Sequence, residues 1–309
     1  MTTIRQLPNS RDRFGNAPFQ STIWYGWQKP LSDRRPIAWM LISSAAILLS
    51  GAASSTLFEL LSADGLNAPL WVSDGVSALT ALRCYALMVR FGEHRVPTEL
   101  MLKDSFKHFG FGSLCGVLVF SSVMLMLYAV GSYSTHWIGW SQPWQAFGEA
   151  LRSSVTEELV ARGVILRLLR RLFGTRAAFL ISSSLFGAFH LINPNCTCFS
   201  AVCVGLEAGT MLGALYLFTR SLWAPIGMHF AWNFTQSYIF GLPVSGNQAG
   251  SSVARSVSSS KDMQIWTGGP FGPEASIAAL ILCLSFSAVL FTLVSGADNK
   301  RIRIWKINP

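Results

Sequence analysis

Apolar residues run through this chain in long blocks separated by short polar stretches. The blocks cover residues 37–61, 70–91, 109–130, 144–166, 177–192, 199–218, 224–240 and 275–294. A helix needs about 20 apolar residues to cross a bilayer core. Because backbone in lipid must satisfy its own hydrogen bonds, such runs are predicted to be helices. The pattern therefore predicts an all-α, polytopic bundle of about eight spans. The fourth block is the least continuous, since Glu149, Arg152, Glu157, Glu158 and Arg162 interrupt it. Residues 1–36 are polar, with no apolar core behind Arg5, Arg11 and Arg13, and read as a tail rather than a signal peptide. The predicted organisation is a polar tail over 1–36, a helical membrane domain over 37–296 and a basic tail over 297–309.

Composition agrees with the pattern. Hydrophobic residues make up 51% of the 309 and charged residues 13%, against about a quarter charged in a typical soluble domain. A net charge of +9 on a soluble fold would suggest a nucleic-acid partner. Here the basic residues lie between the apolar blocks, so the expected surroundings are lipid and no nucleic acid. Arg34 and Arg35, then Arg90, Arg95, Lys103 and Lys107, then Arg167, Arg170, Arg171 and Arg176, then Arg220, then Lys300, Arg301, Arg303 and Lys306 fall in alternate connections. The opposite connections are nearly free of them, apart from Arg255 and Lys261. By the positive-inside rule both termini are expected to be cytoplasmic. The predicted location is a multi-pass integral membrane protein, in the plasma membrane of a bacterium or the endoplasmic reticulum of a eukaryote.

Smaller features are read more plainly. The Ser- and Gly-rich stretch 246–272 reads as a solvated connector, with a lid as the alternative. Gly205, Gly209 and Gly213 recur every fourth residue and predict close packing of a neighbouring helix. The six cysteines give neither a disulfide framework nor zinc spacing, and the lone pair Cys196 and Cys198 reads as part of a short connection.

Ionisable groups inside spans are costly, about 2.5 to 3.5 kcal/mol each, and mark function unless partnered. They concentrate in Thr156-Glu157-Glu158-Leu159-Val160-Ala161-Arg162-Gly163, in Phe186-Gly187-Ala188-Phe189-His190 and in His229-Phe230-Ala231-Trp232-Asn233. Glu158 and Arg162 stand at i and i+4 and are expected to pair. Glu157 points about a quarter turn away and is left without a local partner, as a general base in a desolvated site would be. His229 and Asn233, also at i and i+4, could donate to one oxygen, the geometry of an oxyanion hole. Asp74, Arg83 and Glu207 are further intramembrane charges, with Glu207 expected either to line a cavity or to pair with Arg152.

The order E-E-x-x-x-R, F-x-x-x-H, H-x-x-x-N resembles the CAAX-protease and bacteriocin-processing family of intramembrane glutamic peptidases. Gly163, the Ser-Leu-Phe run before His190 and the Ser221-Leu222-Trp223 approach to His229 extend the resemblance, which covers about residues 144–236. Ala161 departs from it, standing where members often carry an aromatic residue. The resemblance implies an endopeptidase acting on a membrane-associated peptide or protein. By matched position, Glu157 would activate water, His190 assist, His229 and Asn233 stabilise the oxyanion, and Glu158 with Arg162 hold the geometry. It implies no cofactor.

Two histidines and a glutamate could instead bind zinc, but the residues show no H-E-x-x-H and Asn233 is a poor zinc ligand. Readings from other classes are a non-catalytic immunity or binding protein that keeps the motif for packing, and a proton-coupled transporter. An unpaired Glu157 argues against the first, and the lack of an internal repeat against the second.

Overall fold

The computed structural model describes residues 30–63, 69–259 and 264–307. The tail expected over 1–36 lies mostly outside the described residues, as do Lys261 and the side chains of the tail 297–309.

All eight apolar blocks are helical. The principal helices are α1 (Pro36–Ala63), α2 (Leu70–Leu87), α3 (Ser105–Ala129), α4 (Trp144–Glu158), α5 (Arg167–Phe189), α6 (Cys198–Val204), α7 (Thr210–Thr219), α8 (Trp223–Phe234) and α9 (Ile277–Ile307). Among the described residues, five continuous helical runs are long and apolar enough to cross a membrane: 36–62, 70–92, 105–129, 144–192 and 198–219. The run 144–192 is broken at Gly174, whose φ of 78° turns the chain within α5, so the fourth and fifth blocks remain separate helices. The chain is an all-helical integral membrane protein.

Burial is inverted relative to a soluble protein. Large apolar side chains such as Leu49, Leu118, Leu125 and Leu180 face outward, while Glu158, Arg162, Arg167, Glu207 and Gln236 are buried. Only lipid rewards that exchange. One interior cluster joins α1, α2 and the 159–166 segment through Trp39, Tyr85, Leu159 and Leu166. A second joins α3, α7, α8 and α9 through Phe120, Leu215, Met228 and Cys283. Glycine sets how closely the helices approach. A Cβ at Gly116 would lie 2.3 Å from the Met228 carbonyl oxygen across the α3–α8 crossing, and one at Gly187 would lie 2.2 Å from that of Ala201. Gly205 and Gly209 press against Ser183 of α5, so the glycine stripe packs within the molecule.

Four stretches widen into π-helix: Met88–Gly92, Leu159–Leu166, Gly205–Gly209 and Thr235–Ile239. The described residues of the connector expected over 246–272 are folded. Its strand β2 (Ala254–Ser258) pairs antiparallel with β1 (Tyr133–Trp137), with Thr135 opposite Ser256. The segment is also clasped to the α5–α6 connection, where Asn193 Nδ2 donates to Ser245 O (3.1 Å) and Asn195 Nδ2 to Gly246 O (3.2 Å). Gly246 (φ 84°) lies so close to Pro194 that a Cβ would come within 1.7 Å of its carbonyl oxygen. Trp137 and Trp140 at this end, and Trp71 against Trp144, supply the aromatic girdle of a membrane interface.

At the opposite, basic end, Glu93 accepts two hydrogen bonds from Arg167 (2.6 and 2.8 Å), one from Arg95 (2.8 Å) and one from the Trp39 indole (3.2 Å). Glu99 receives two hydrogen bonds from Arg95 (2.9 and 2.7 Å) and one from the Tyr85 hydroxyl. Burial pushes the Glu93 carboxyl upward, but the Arg167 charge and its hydrogen bonds outweigh this and hold it at about 2, against an ordinary 4.5. Glu99 is lowered for the same reasons, with Arg95 the chief partner. A carboxyl depressed in the fold contributes stability that is full above its unfolded value and is lost as pH falls towards its folded value. Glu93 alone accounts for about 3 kcal/mol on that basis. The thermal midpoint in detergent should therefore fall as pH drops from 5 to 3. Glu93→Gln should melt lower at pH 7 and show a flatter acid dependence; an unchanged acid slope would remove Glu93 as its cause.

Candidate active site

The polar side chains are brought together from four helical segments. Glu157 and Glu158 end α4, Arg162 lies in the π segment Leu159–Leu166, His190 opens the 3-10 turn that follows α5, and His229 and Asn233 sit one turn apart on α8. The expected Glu158–Arg162 pair forms, Nη1 to Oε1 at 2.8 Å, with both side chains at most 1% exposed. The guanidinium also donates to the carbonyls of Ala208 (2.8 Å) and Gly209 (3.2 Å) and lies 4.4 Å over the Phe186 ring. Both terminal nitrogens of this buried cation thus meet acceptors, and its plane meets a π face. Gly163 follows because a Cβ would meet the Tyr85 ring at 2.8 Å, and its carbonyl accepts from Arg167 Nε (2.6 Å) and the Tyr85 hydroxyl (3.2 Å).

The hydrogen bonds assign the histidine protons. His190 Nδ1 lies 2.8 Å from the Phe186 carbonyl oxygen, which can only accept, so that nitrogen carries hydrogen. His229 Nδ1 lies 3.0 Å from Glu158 Oε1 and by the same logic donates. In the neutral rings each Nε2 then presents a lone pair. Both point at the same place, with His190 Nε2 4.0 Å and His229 Nε2 3.9 Å from Glu157 Oε2. Those separations are too long for direct hydrogen bonds and suit one water touching both atoms of a pair. Glu157 Oε2 has no hydrogen-bond partner, while its side chain is 36% exposed. Although Oε2 itself is buried, Glu157 is the more accessible of the two adjacent carboxylates.

Asn233 lines the same cavity and directs Nδ2 to Ser153 Oγ at 3.3 Å. His229 offers a donor at Nε2 only when doubly protonated, since its Nδ1 hydrogen is engaged by Glu158. The shared-face donor pair expected from spacing is thus split between two tasks in this structure. The other sequence candidates fall elsewhere. Arg152 pairs with Asp74 (2.7 Å), leaving Glu207 to line the cavity, and Arg83 is exposed. Thr197, between Cys196 and Cys198, caps α6 in a reciprocal box with Ser200. Glu274 also lines the cavity, with its carboxylate accepting from the Ser245 backbone N–H. The sequence does not single it out because it sits in the turn before the last apolar block, where a carboxylate reads as solvated. Among the described residues, no group of three His, Cys, Asp or Glu side chains is arranged to hold a metal ion.

Residues 139–235 match the family model described as Type II CAAX prenyl endopeptidase Rce1-like. This segment is similar to the CAAX-protease family. The match spans about a third of the chain and includes Glu157, Glu158, Arg162, His190, His229 and Asn233. The segment is thus similar, at family level, to CAAX-type intramembrane endopeptidases. Neither the curated proteins nor the solved structures compared with the chain gave a match. Within the CAAX-protease segment, α4 and α8 carry the polar groups on facing sides, and α2, α3 and α9 pack around them.

Proposed function

We propose that this protein hydrolyses a peptide bond in a membrane-associated peptide or protein, using water activated by Glu157. The convergence of Glu157 Oε2 with the Nε2 atoms of His190 and His229 carries this reading. Water held there gives one proton to Glu157 as its oxygen attacks the carbonyl carbon, while its remaining O–H stays on the oxygen and donates a hydrogen bond to His190 Nε2. Asn233 Nδ2, turning from Ser153, and His229, which takes up a second proton from solution before attack, donate to the tetrahedral oxyanion. Protonated Glu157 then gives its proton to the departing amine, so the products are a carboxylic acid and an amine. Glu158 fixes the His229 ring from behind, and Arg162 holds Glu158.

The same three atoms are a donor set of zinc type. A zinc ion bound at about 2.0–2.1 Å would draw neighbouring donors to about 3.4 Å of one another, closer than the 3.9 and 4.0 Å found here. The spacing favours water. Cleavage of a quenched fluorogenic membrane-peptide library by the purified protein, with and without a chelator, tests the reading. We expect turnover that is insensitive to chelation and is lost in His190→Ala. Loss on chelation with recovery on adding zinc would replace the water mechanism by a metal-dependent one, and equal turnover in wild type and His190→Ala would remove His190 from the site.

A further inference from the structure

Glu207 and Glu274 lie outside the motif, yet both face the cavity that His190, His229 and Asn233 line. Glu207 comes from the π segment Gly205–Gly209 and is 1% exposed; Glu274 comes from the turn before α9 and is 4% exposed. Glu207 Oε2 has no hydrogen-bond partner. No lysine or arginine is among the lining residues. The nearby guanidinium of Arg162 is committed to Glu158 and to the Ala208 and Gly209 carbonyls, and Arg152 is committed to Asp74. Glu274 already accepts from the Ser245 N–H, whereas Glu207 Oε2 meets no donor, and a buried carboxyl without a donor is costly to keep. Apart from Ser245, the remaining lining is largely apolar and polarisable, with Phe186, Met211, Leu212, Met228 and Trp232 its largest side chains. An acceptor-rich end behind an apolar sleeve complements a methylene stem that ends in a cation.

We propose that Glu207 and Glu274 form the pocket that receives a basic side chain of the substrate, adjacent to the scissile bond. This rests on the peptidase reading for its placement beside the reaction, though not for the binding itself. The cavity is about 30 Å³ in this structure, so the stem enters as the flexible side chains of Met211 and Met228 part around it, and the ammonium or guanidinium donates to the free Glu207 Oε2 and to Glu274. His190 stands at the mouth shared by the pocket and the hydrolytic water. A bound cation thus fixes the register in which the backbone is presented to Glu157.

The test uses the purified full chain in lipid nanodiscs. Lysine is scanned, one position at a time, through an apolar fluorogenic membrane peptide and compared with norleucine at each position. One position should show a preference for lysine of at least about tenfold in kcat/KM. Glu207→Gln and Glu274→Gln should each bring that ratio near one while the norleucine peptide is cleaved at close to the wild-type rate. A lysine preference unchanged in both variants, or absent in wild type, would overturn the proposal. A second readout is independent of cleavage: n-butylammonium, but not n-butanol, should raise the melting temperature of Glu157→Gln protein, and adding Glu207→Gln or Glu274→Gln should abolish the rise. Absence of cleavage from every peptide together with an amine-dependent rise would sink the peptidase reading and keep the cation pocket, whereas cleavage without any rise would do the reverse. If Glu207→Gln does not fold, Glu274→Gln and Glu207→Asp carry the same comparisons.

Discussion

Glu157→Gln should lower cleavage by about a thousandfold, within the range that a positioned general base supplies, while the protein melts no lower than wild type. The two halves of this expectation have one cause. Glu157 Oε2 lacks a hydrogen-bond partner and stands 3.9–4.0 Å from two imidazole nitrogens, so the fold gains little from its charge, whereas the attacking water needs it as a base. Glutamine keeps the shape and can still hold a water, but it cannot take a proton. Measuring kcat/KM and the thermal midpoint on the same preparation checks both halves. A large fall in melting temperature would make Glu157 a structural residue, and unchanged turnover would remove it from the chemistry.

Arg162→Ala should behave in the opposite way, destabilising the protein by about 3–5 kcal/mol, as removal of one member of a buried charge pair does. The loss comes from several directions. Glu158 would keep its buried charge with only His229 beside it, and its Oε2 already lacks a partner. The carbonyls of Ala208 and Gly209 would lose their donor, and Phe186 its cation. Because Glu158 orients His229, activity should fall along with stability. The companion variant Glu158→Gln, which keeps an acceptor for both Arg162 and His229, should cost less. Unfolding titrations in mixed micelles measure the difference. Equal stability of Arg162→Ala and wild type would show that the pair does not hold the helices together.

Much of the helical architecture is legible in the amino-acid order, and the reason is the solvent. In hydrocarbon the backbone has no partner but itself, so an apolar block must be a helix, and each predicted block is one. The same cost makes Glu157, Glu158, Arg162, His190, His229 and Asn233 conspicuous. Spacing at i and i+4 identifies the Glu158–Arg162 pair because both partners lie on one turn. It is silent on contacts between segments distant along the chain, such as Arg152 with Asp74 and Asn233 with Ser153. The Glu93–Arg95–Glu99–Arg167 network is hidden for a related reason: those residues fall in polar connections, where charge is ordinarily solvated. The π segments leave no trace in hydropathy, since a wider turn changes the hydrogen-bond ladder without changing composition. The folding of the described residues 241–259 is obscured by their Ser- and Gly-rich composition, because what orders them is pairing with β1 and the clasp of Asn193 and Asn195.

The two carbonyls that Arg162 reaches have a consequence for how such a chain can vary. Both bonds end on the π segment Gly205–Gly209, where i-to-i+5 pairing widens the helix. A widened turn amounts to one inserted residue. Deleting a single residue between 198 and 204 would let the helix relax to regular α geometry, retire its two carbonyls into their own ladder and rotate Glu207 away from the cavity. Arg162 would be stranded by a change made on another helix. Insertions, deletions and arginine replacements at these two places should therefore arise as compensated pairs, and a length change there is a more serious lesion than most side-chain substitutions in the bundle.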